Sequence, residues 1–339
     1  MDSRTKAPVT DAQLAEIVRA ACGAGERLVG HVELTDGTFN TAYRLRLASG
    51  GELVLKVAPP AGTALLRYEH DLLRTEAMVY ELVGAAGGVP VPAVVATGFD
   101  QAVLDRDYLL VTALPGQPWP AVREELTEPV RRALRHQLGG LTARLHTIAG
   151  PEFGYPQPGA GLRADTWRAA FLAMVDAVLD DAVRYRVALP LPVPEIAALV
   201  RSAADVLDEV TTPRLVHFDL WEGNVFVALT EPGRPRVTGL IDPERAFWGD
   251  ECADFVSLAL FADIEADADF LAGYRAAGGR VEFTPALRRR LTLYRAYLDL
   301  VMVVEASPRG YVDDPTNLPR DRFCRARLAE ELARLAESA

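Results

Sequence analysis

Polar and apolar positions change their spacing after Leu114, and the change divides the chain. Up to that point the patterned runs "RLVGHVEL", "TAYRLRLA", "ELVLKVA", "AVVATGF" and "DYLLVTAL" have the composition and alternation of strands, and "TDGTFN" and "SGG" between the first three have that of turns. In "ELVLKVA", Leu53, Leu55 and Val57 alternate with Val54, Lys56 and Ala58, so this strand is expected to be apolar on both faces. A first helix is expected to open on a capping box of Thr10 with Gln13 and to end near Gly23. A second is expected from about Thr63 to Val83, where Leu65 and Leu66, Leu72 and Leu73, and Val79 and Tyr80 recur at seven-residue steps before "GAAGGVPVP".

After "PGQPWP" the pattern turns helical, in "RRALRHQLGGLTARLHTI", "TWRAAFLAMVDAVLDDAVRY", "PEIAALVRSAADVLDEV", "PALRRRLTLYRAYLDLVMVVEA" and "RDRFCRARLAEELARLAE". In the second of these, Trp167, Phe171, Met174 and Val178 make a core stripe, while Asp176, Asp180 and Arg184 make a solvated one. Strands return only in "RLVHF", "NVFVAL" and "RVTGLID", and "LPLPVPE" is a stiff proline-marked connection. The outline is an α+β chain of two lobes: a small sheet-rich lobe with one long helix, residues 1–114, and a larger, mainly helical lobe, residues 115–339.

Composition narrows the class. At 339 residues, half of them hydrophobic, the chain has room for roughly two domains and a sizeable core. A net charge of -11 argues against a nucleic-acid partner and favours cationic ligands. Cys22, Cys252 and Cys324 are isolated and odd in number, which fits neither a disulfide framework nor a zinc site and suits a reducing cytoplasm. Neither a signal-peptide core nor a run of about 18 apolar residues occurs, so no membrane partner is expected. No repeat is present, and nothing in the sequence sets an oligomeric state.

The candidate chemistry begins with Lys56. It and Lys6 are the only lysines in a chain whose other strongly basic side chains are all arginine. An ammonium on an apolar strand needs an anionic partner or a ligand, and a point charge on a flexible stem does not exchange freely with a planar fork. Further on, "LVHFDLWEGNVFV" places Asp219 and Asn224 five positions apart in a polar loop between apolar runs. "VTGLIDPERAFWGDECADF" then ends another apolar run on Asp242. A carboxylate beside an amide suits proton acceptance from an alcohol or the binding of a hard cation through oxygen. Alone, each such residue reads as a turn or cap residue. Together, a strand lysine, a glutamate on the next helix, a hinge, H-x-D-x-x-x-x-N and a strand-terminal I-D follow the order that phosphoryl transfer needs.

On these motifs the chain resembles the aminoglycoside phosphotransferase family, small-molecule kinases with the protein-kinase fold that include choline, homoserine and fructosamine kinases. "HFDLWEGNVFV" is similar to the family's H-G-D-x-x-x-x-N loop, "GLIDPERAFWGD" to its I-D segment, "YLLVTALPG" to its hinge, and "LTARLHTI", with His146, to its L-x-x-L-H helix. The resemblance, from about Val32 to Asp254, implies a bilobal protein-kinase-like fold, ATP or GTP as donor and Mg2+ as cofactor. It implies that Lys56 holds the α- and β-phosphates, oriented by Glu76, with Glu69 as the rival partner on the same helix. Asp219 would act as base or orienter for the acceptor hydroxyl, and Asn224 and Asp242 would bind magnesium. Backbone groups at Thr112 and Leu114 would meet the adenine, with Val111 behind it. Asp254 would be a structural helix-capping residue.

Two departures stand out. Phe218 replaces the loop's usual glycine, and the nucleotide loop has only Gly37, so phosphate contact would fall to backbone around Thr38, Phe39 and Asn40. No G-x-x-x-x-G-K-S/T loop occurs, and the absence of A-P-E and of room for an activation loop argues against a protein kinase. The acceptor expected by default is an aminoglycoside, with Trp221, Glu222, Glu244 and Trp248 as candidate contacts and the acids of "DIEADADF" and "VLDDA" as a possible polycation lining. Alternatives are a kinase of a metabolic alcohol such as choline, homoserine, a ketosamine or a sugar, and a catalytically inactive binding protein.

Overall fold

The capping box at Thr10 is formed: the Gln13 N–H donates to Thr10 Oγ1 at 3.3 Å and the Thr10 N–H to Gln13 Oε1 at 3.0 Å. Helix α1 (Asp11–Cys22) therefore starts there, and Gly23, at φ 87°, stops it. The computed structural model describes residues 4–35, 37–229 and 235–337; Asp36, in "TDGTFN", lies outside them. Five strands follow, β1 (Leu28–Leu34), β2 (Thr41–Leu47), β3 (Glu52–Val57), β4 (Val94–Thr97) and β5 (Tyr108–Thr112), in one antiparallel sheet of order β1-β2-β3-β5-β4.

The two-faced apolar pattern of β3 has a direct cause. Leu53, Leu55 and Val57 pack with Leu14, Ile17 and Val18 of α1 on one side of the sheet. On the other side Val54 and Ala58 pack with Leu73, Ala77 and Tyr80 of helix α2 (Leu72–Ala86). Lys56 shares this second face, so period two sends it toward α2.

Helix α2 starts nine residues later than the apolar spacing predicts. Residues 67–69 make a single 3₁₀ turn, His70 is extended, and Asp71 at φ 61° breaks the path into the helix. Leu66 keeps the seven-residue pattern because it is fully buried in the larger core, not because it is helical. Burial alone sets such spacing when a segment is pinned between two bodies.

The remaining elements are β6 (Gln117–Pro118), α3 (Trp119–Val122), α4 (Glu128–Leu145), β7 (Phe153–Gly154), β8 (Arg163–Ala164), α5 (Trp167–Arg184), α6 (Val193–Ser202), β9 (Arg214–Val216), β10 (Val225–Ala228), β11 (Arg236–Leu240), β12 (Phe247–Gly249), α7 (Asp254–Leu258), α8 (Ala268–Ala276), α9 (Pro285–Glu305) and α10 (Leu318–Glu337). Two small antiparallel sheets, β11-β10-β6 and β8-β7-β12-β9, carry the segments around Asp219 and Asp242 on the helical body. The core stripe of α5 is buried as patterned, and Asp180 and Arg184 are exposed. Helices α4 and α8 touch backbone to backbone: a Cβ at Gly273 would lie 1.8 Å from the His136 carbonyl, and one at Gly139 would lie 2.1 Å from that of Phe270. Among the described residues no helix is long and apolar enough to cross a membrane.

Candidate active site

Lys56 lies at the centre of the site. Its Nζ donates to both Glu76 carboxylate oxygens at 2.7 and 2.8 Å and to Asp242 Oδ1 at 2.7 Å. Tyr80, one turn after Glu76 on α2, donates to Glu76 at 2.7 Å and accepts the Asp242 N–H at 3.0 Å. The result is a closed circuit joining β3, α2 and the turn after β11. Burial works against the ammonium, but Asp242 and Glu76 outweigh it and hold Lys56 well above its ordinary range. Lys56 in turn, through its charge and its hydrogen bond, keeps Asp242 below its ordinary range against the pull of burial, so it is ionised. Glu69 is not the lysine's partner: it pairs with Arg309 at 2.5 Å.

The loop 217–224 is held from beneath. Asp254, fully buried, accepts the backbone N–H groups of His217 at 3.1 Å and Phe218 at 2.6 Å, and His146 Nε2 stands 3.0 Å from it. It opens α7, but its carboxylate fastens the loop rather than capping the helix, which corrects the sequence reading. The His217 Nε2 lies 3.1 Å from the Ile241 carbonyl, and burial lowers its pKa, so the ring is neutral and donates there. Phe218 takes φ 61°, a left-handed conformation that accounts for the glycine usual at this position. Its ring packs 5.0 Å from Phe247 and 5.7 Å from Tyr297.

This clamp presents Asp219 and Asn224 together. Asn224 Nδ2 donates to the Asp219 carbonyl at 2.8 Å and to Asp219 Oδ2 at 3.0 Å. The Ile241 N–H donates to the Asn224 carbonyl at 3.0 Å, which brings Asp242 alongside. Burial pushes the Asp219 carboxyl up to about 7; Arg245 pulls it down, Asp242 and Glu305 push it up, and Asn224 pulls it down again. A carboxyl poised there can take a proton from a hydroxyl near neutral pH.

The loop of residues 38–40 touches this centre. Asn40 Nδ2 donates to Glu244 at 2.7 Å, the buried Phe39 ring lies 5.2 Å from the Arg309 guanidinium, and the carbonyls of Thr38 and Phe39 accept from Tyr311 at 3.1 Å and Thr5 at 2.8 Å. Burial, with Asp242 beside it, pushes Glu244 well above the usual carboxylate range. Oxygens of Glu76, Asp242 and Glu244 lie within 4.8 Å of one another. At the hinge the Thr112 N–H bonds the Ala93 carbonyl at 3.0 Å, Val111 is buried against α2, and the Leu114 side chain lies over Gly239.

The four candidate acceptor contacts separate. Glu244 joins the centre. Trp221 is 41 % exposed with its ring folded over Gly223, and Glu222 pairs with Arg123. Trp248 belongs to the core: it is buried in β12, and a Cβ at Gly150 would lie 2.2 Å from its ring, so its assignment to the acceptor is withdrawn. Sequence reasoning missed Tyr80 and Arg245. The helical step from Glu76 could have found Tyr80; Arg245 carries no signal in a chain this rich in arginine.

The fold and this constellation define a small-molecule phosphotransferase of the protein-kinase-like, bilobal α+β type, an enzyme that transfers phosphate to a hydroxyl group. The chain belongs to the phosphotransferase enzyme family, whose sequence pattern matches residues 31–294. No protein of curated function matches it. Similar solved structures include a candidate fructosamine-3-kinase from Thermobifida fusca YX-ER1, 22% identical over 96% of this chain and 99% of that one, TM-score 0.65. Another is a thermostable mutant of aminoglycoside phosphotransferase APH(4)-Ia in ternary complex with AMP-PNP and hygromycin B, 18% identical over 95% and 98%, TM-score 0.62. A third is the macrolide 2'-phosphotransferase MphH from Brachybacterium faecium, 18% identical over 94% and 98%, TM-score 0.56. At these identities the likeness is one of fold.

Proposed function

We propose that the chain is a cytoplasmic, nucleotide-dependent kinase that moves the γ-phosphate of ATP, or GTP, to a hydroxyl of a sugar-like small molecule. The observation that carries this reading is the convergence of Lys56, Glu76 and Asp242 on one circuit beside the Asp219–Asn224 pair. In it the lobe of residues 1–114 holds the nucleotide, with adenine at Val111, Thr112 and Leu114 and phosphates under Thr38 to Asn40, and residues 115–339 hold the acceptor. Lys56, oriented by Glu76, grips the α- and β-phosphates. Asp219 orients the hydroxyl and takes its proton.

The donors fit magnesium. The amide nitrogen of Asn224 is engaged by Asp219, which leaves its amide oxygen for a metal, and Asp242 is kept ionised. Bound there, the ion would neutralise charge on the β- and γ-phosphates. Against the alternative of an inactive binding protein, the Lys56–Glu76–Asp242 circuit and the Asp219–Asn224 pair are both formed and are joined through the Ile241 N–H on the Asn224 carbonyl.

The acceptor is the open part. Solved relatives carry hygromycin B, gentamicin or streptomycin, or are named for fructosamine or macrolide phosphorylation. An aminoglycoside, and with it antibiotic resistance, is the reading the family suggests, and a metabolic sugar or alcohol is its alternative. The test is transfer from Mg-ATP to a panel of hydroxyl compounds, read by product mass. A gain of one phosphate that vanishes in Asp219→Asn, with nucleotide binding retained, is the expected result. Undiminished transfer by that variant would overturn the assignment of Asp219, and failure of the parent to bind nucleotide would overturn the kinase reading.

A further inference from the structure

Arg245 closes the turn that begins at Asp242. Its guanidinium donates to Glu305 at 2.8 Å, its only protein acceptor among the described residues, and 13 % of its side chain stays exposed. A guanidinium has five N–H donors, so most remain available, and none is sealed away from solvent. Glu305 is shared with Arg309 at 3.0 Å and Arg320 at 3.5 Å, and Arg309 also meets Glu69. Three guanidiniums thus share the Glu305 and Glu69 carboxylates, and Arg245 also stands within electrostatic reach of Asp219 and Glu244. Arg245 is also the cation that acts most strongly on Asp219.

Most of the acids read as a polycation lining are already paired with arginine; Asp263 instead caps a 3₁₀ turn through the Glu265 N–H. Asp267 pairs with Arg135, Asp269 with Arg132, Glu265 with Arg288 and Asp180 with Arg67. Releasing them would cost each arginine its partner, whereas Arg245 offers donors at no such cost.

We propose that Arg245 sets acceptor specificity: the hydroxyl compound that reaches Asp219 carries an oxyanion, a carboxylate or a phosphate, that docks on this guanidinium. The inference rests on the kinase reading and gives its acceptor a class. A planar fork suits a carboxylate or phosphate held through two parallel hydrogen bonds. With that group anchored, the acceptor oxygen attacks the γ-phosphorus and its proton passes to Asp219. The bond from γ-phosphorus to the β–γ bridging oxygen breaks, and ADP leaves with that electron pair.

The test compares gluconate and glucose 6-phosphate, which separate the two oxyanions, with glucose and with kanamycin under Mg-ATP. At least one oxyanion acceptor is expected to exceed both glucose and kanamycin in kcat/KM by about tenfold or more, which corresponds to about 1.4 kcal/mol. Arg245→Gln should raise that acceptor's KM by a similar factor and leave the KM for ATP unchanged. Arg245→Lys, which keeps the charge, should keep the order of acceptors, and it decides the matter if the glutamine variant does not fold. Preference for glucose or kanamycin overturns the proposal, as does a rise in the KM for ATP alone, which would put Arg245 on the nucleotide. Binding of Mg-ATP, followed by thermal shift, separates the two levels. With ATP bound and neither oxyanion phosphorylated only this proposal fails; with no ATP bound the kinase reading fails as well.

Discussion

Lys56 and Phe218 each occupy a place where another residue type would be the easier choice. Arginine dominates this chain, yet the lysine's ammonium meets three carboxylate oxygens within 2.8 Å, a pocket cut for a point charge. Lys56→Arg is expected to fold and to lose roughly 10²-fold or more in kcat/KM, because a wider fork cannot meet Glu76, Asp242 and a phosphate in one geometry. Steady-state kinetics with a melting curve checks both halves. Phe218 holds a left-handed conformation in which glycine would be relaxed, at about 1–2 kcal/mol, but it fills the space beside Phe247 and Tyr297. Phe218→Gly relieves the backbone and empties the core, so a net loss of about 2–4 kcal/mol is expected in denaturant unfolding. Lys56, Asp219, Asn224 and Asp242 were legible because their order along the chain is itself a pattern. Arg245 and Trp248 were not: the partner of one lies sixty residues away on α9, and the other is buried by a contact with Gly150 that no local spacing reveals.

Among the elements, most helices with long apolar periods and clear caps were read within a few residues; the run "PEIAALVRSAADVLDEV" was not, since α6 ends at Ser202 and residues 204–209 make a 3₁₀ segment, and the failure at α2 came where burial mimicked helical spacing. The α4–α8 contact was invisible for the opposite reason: glycines in a helix look like weak points until a second backbone is laid against them. Gly273→Ala should destabilise by about 1–3 kcal/mol despite alanine's better helix propensity, since its methyl would meet the His136 carbonyl. Helices α9 and α10 make a pH-dependent joint. Asp299 is 2 % exposed, and burial, only partly offset by Arg327, raises its pKa from 3.8 to about 7. Between those values the folded chain keeps a proton that the unfolded chain has lost, so stability falls as pH rises through that window. Asp299→Asn should remove that slope: its melting temperature, close to the parent's at pH 4, is expected to exceed it by on the order of a few degrees at pH 8.

At the scale of the molecule, residues on both sides of Leu114 share one core. Phe39, Leu66, Tyr68, Leu72, Val79 and Val83 all precede Leu114, yet each lies in the large core together with the helical body. Calorimetry of the full chain is therefore expected to show one transition, and residues 1–114 alone should lack one; two resolved transitions would count against this. The buried setting of Lys56 has a practical corollary. Under the kinase reading, an acylating nucleotide analogue finds two lysine side chains in the entire chain, and one of them stands only 14 % exposed beside Glu76 and Asp242. Peptide mass alone would then report occupancy of that site, in effect a single-channel sensor supplied by the protein's own near-absence of lysine.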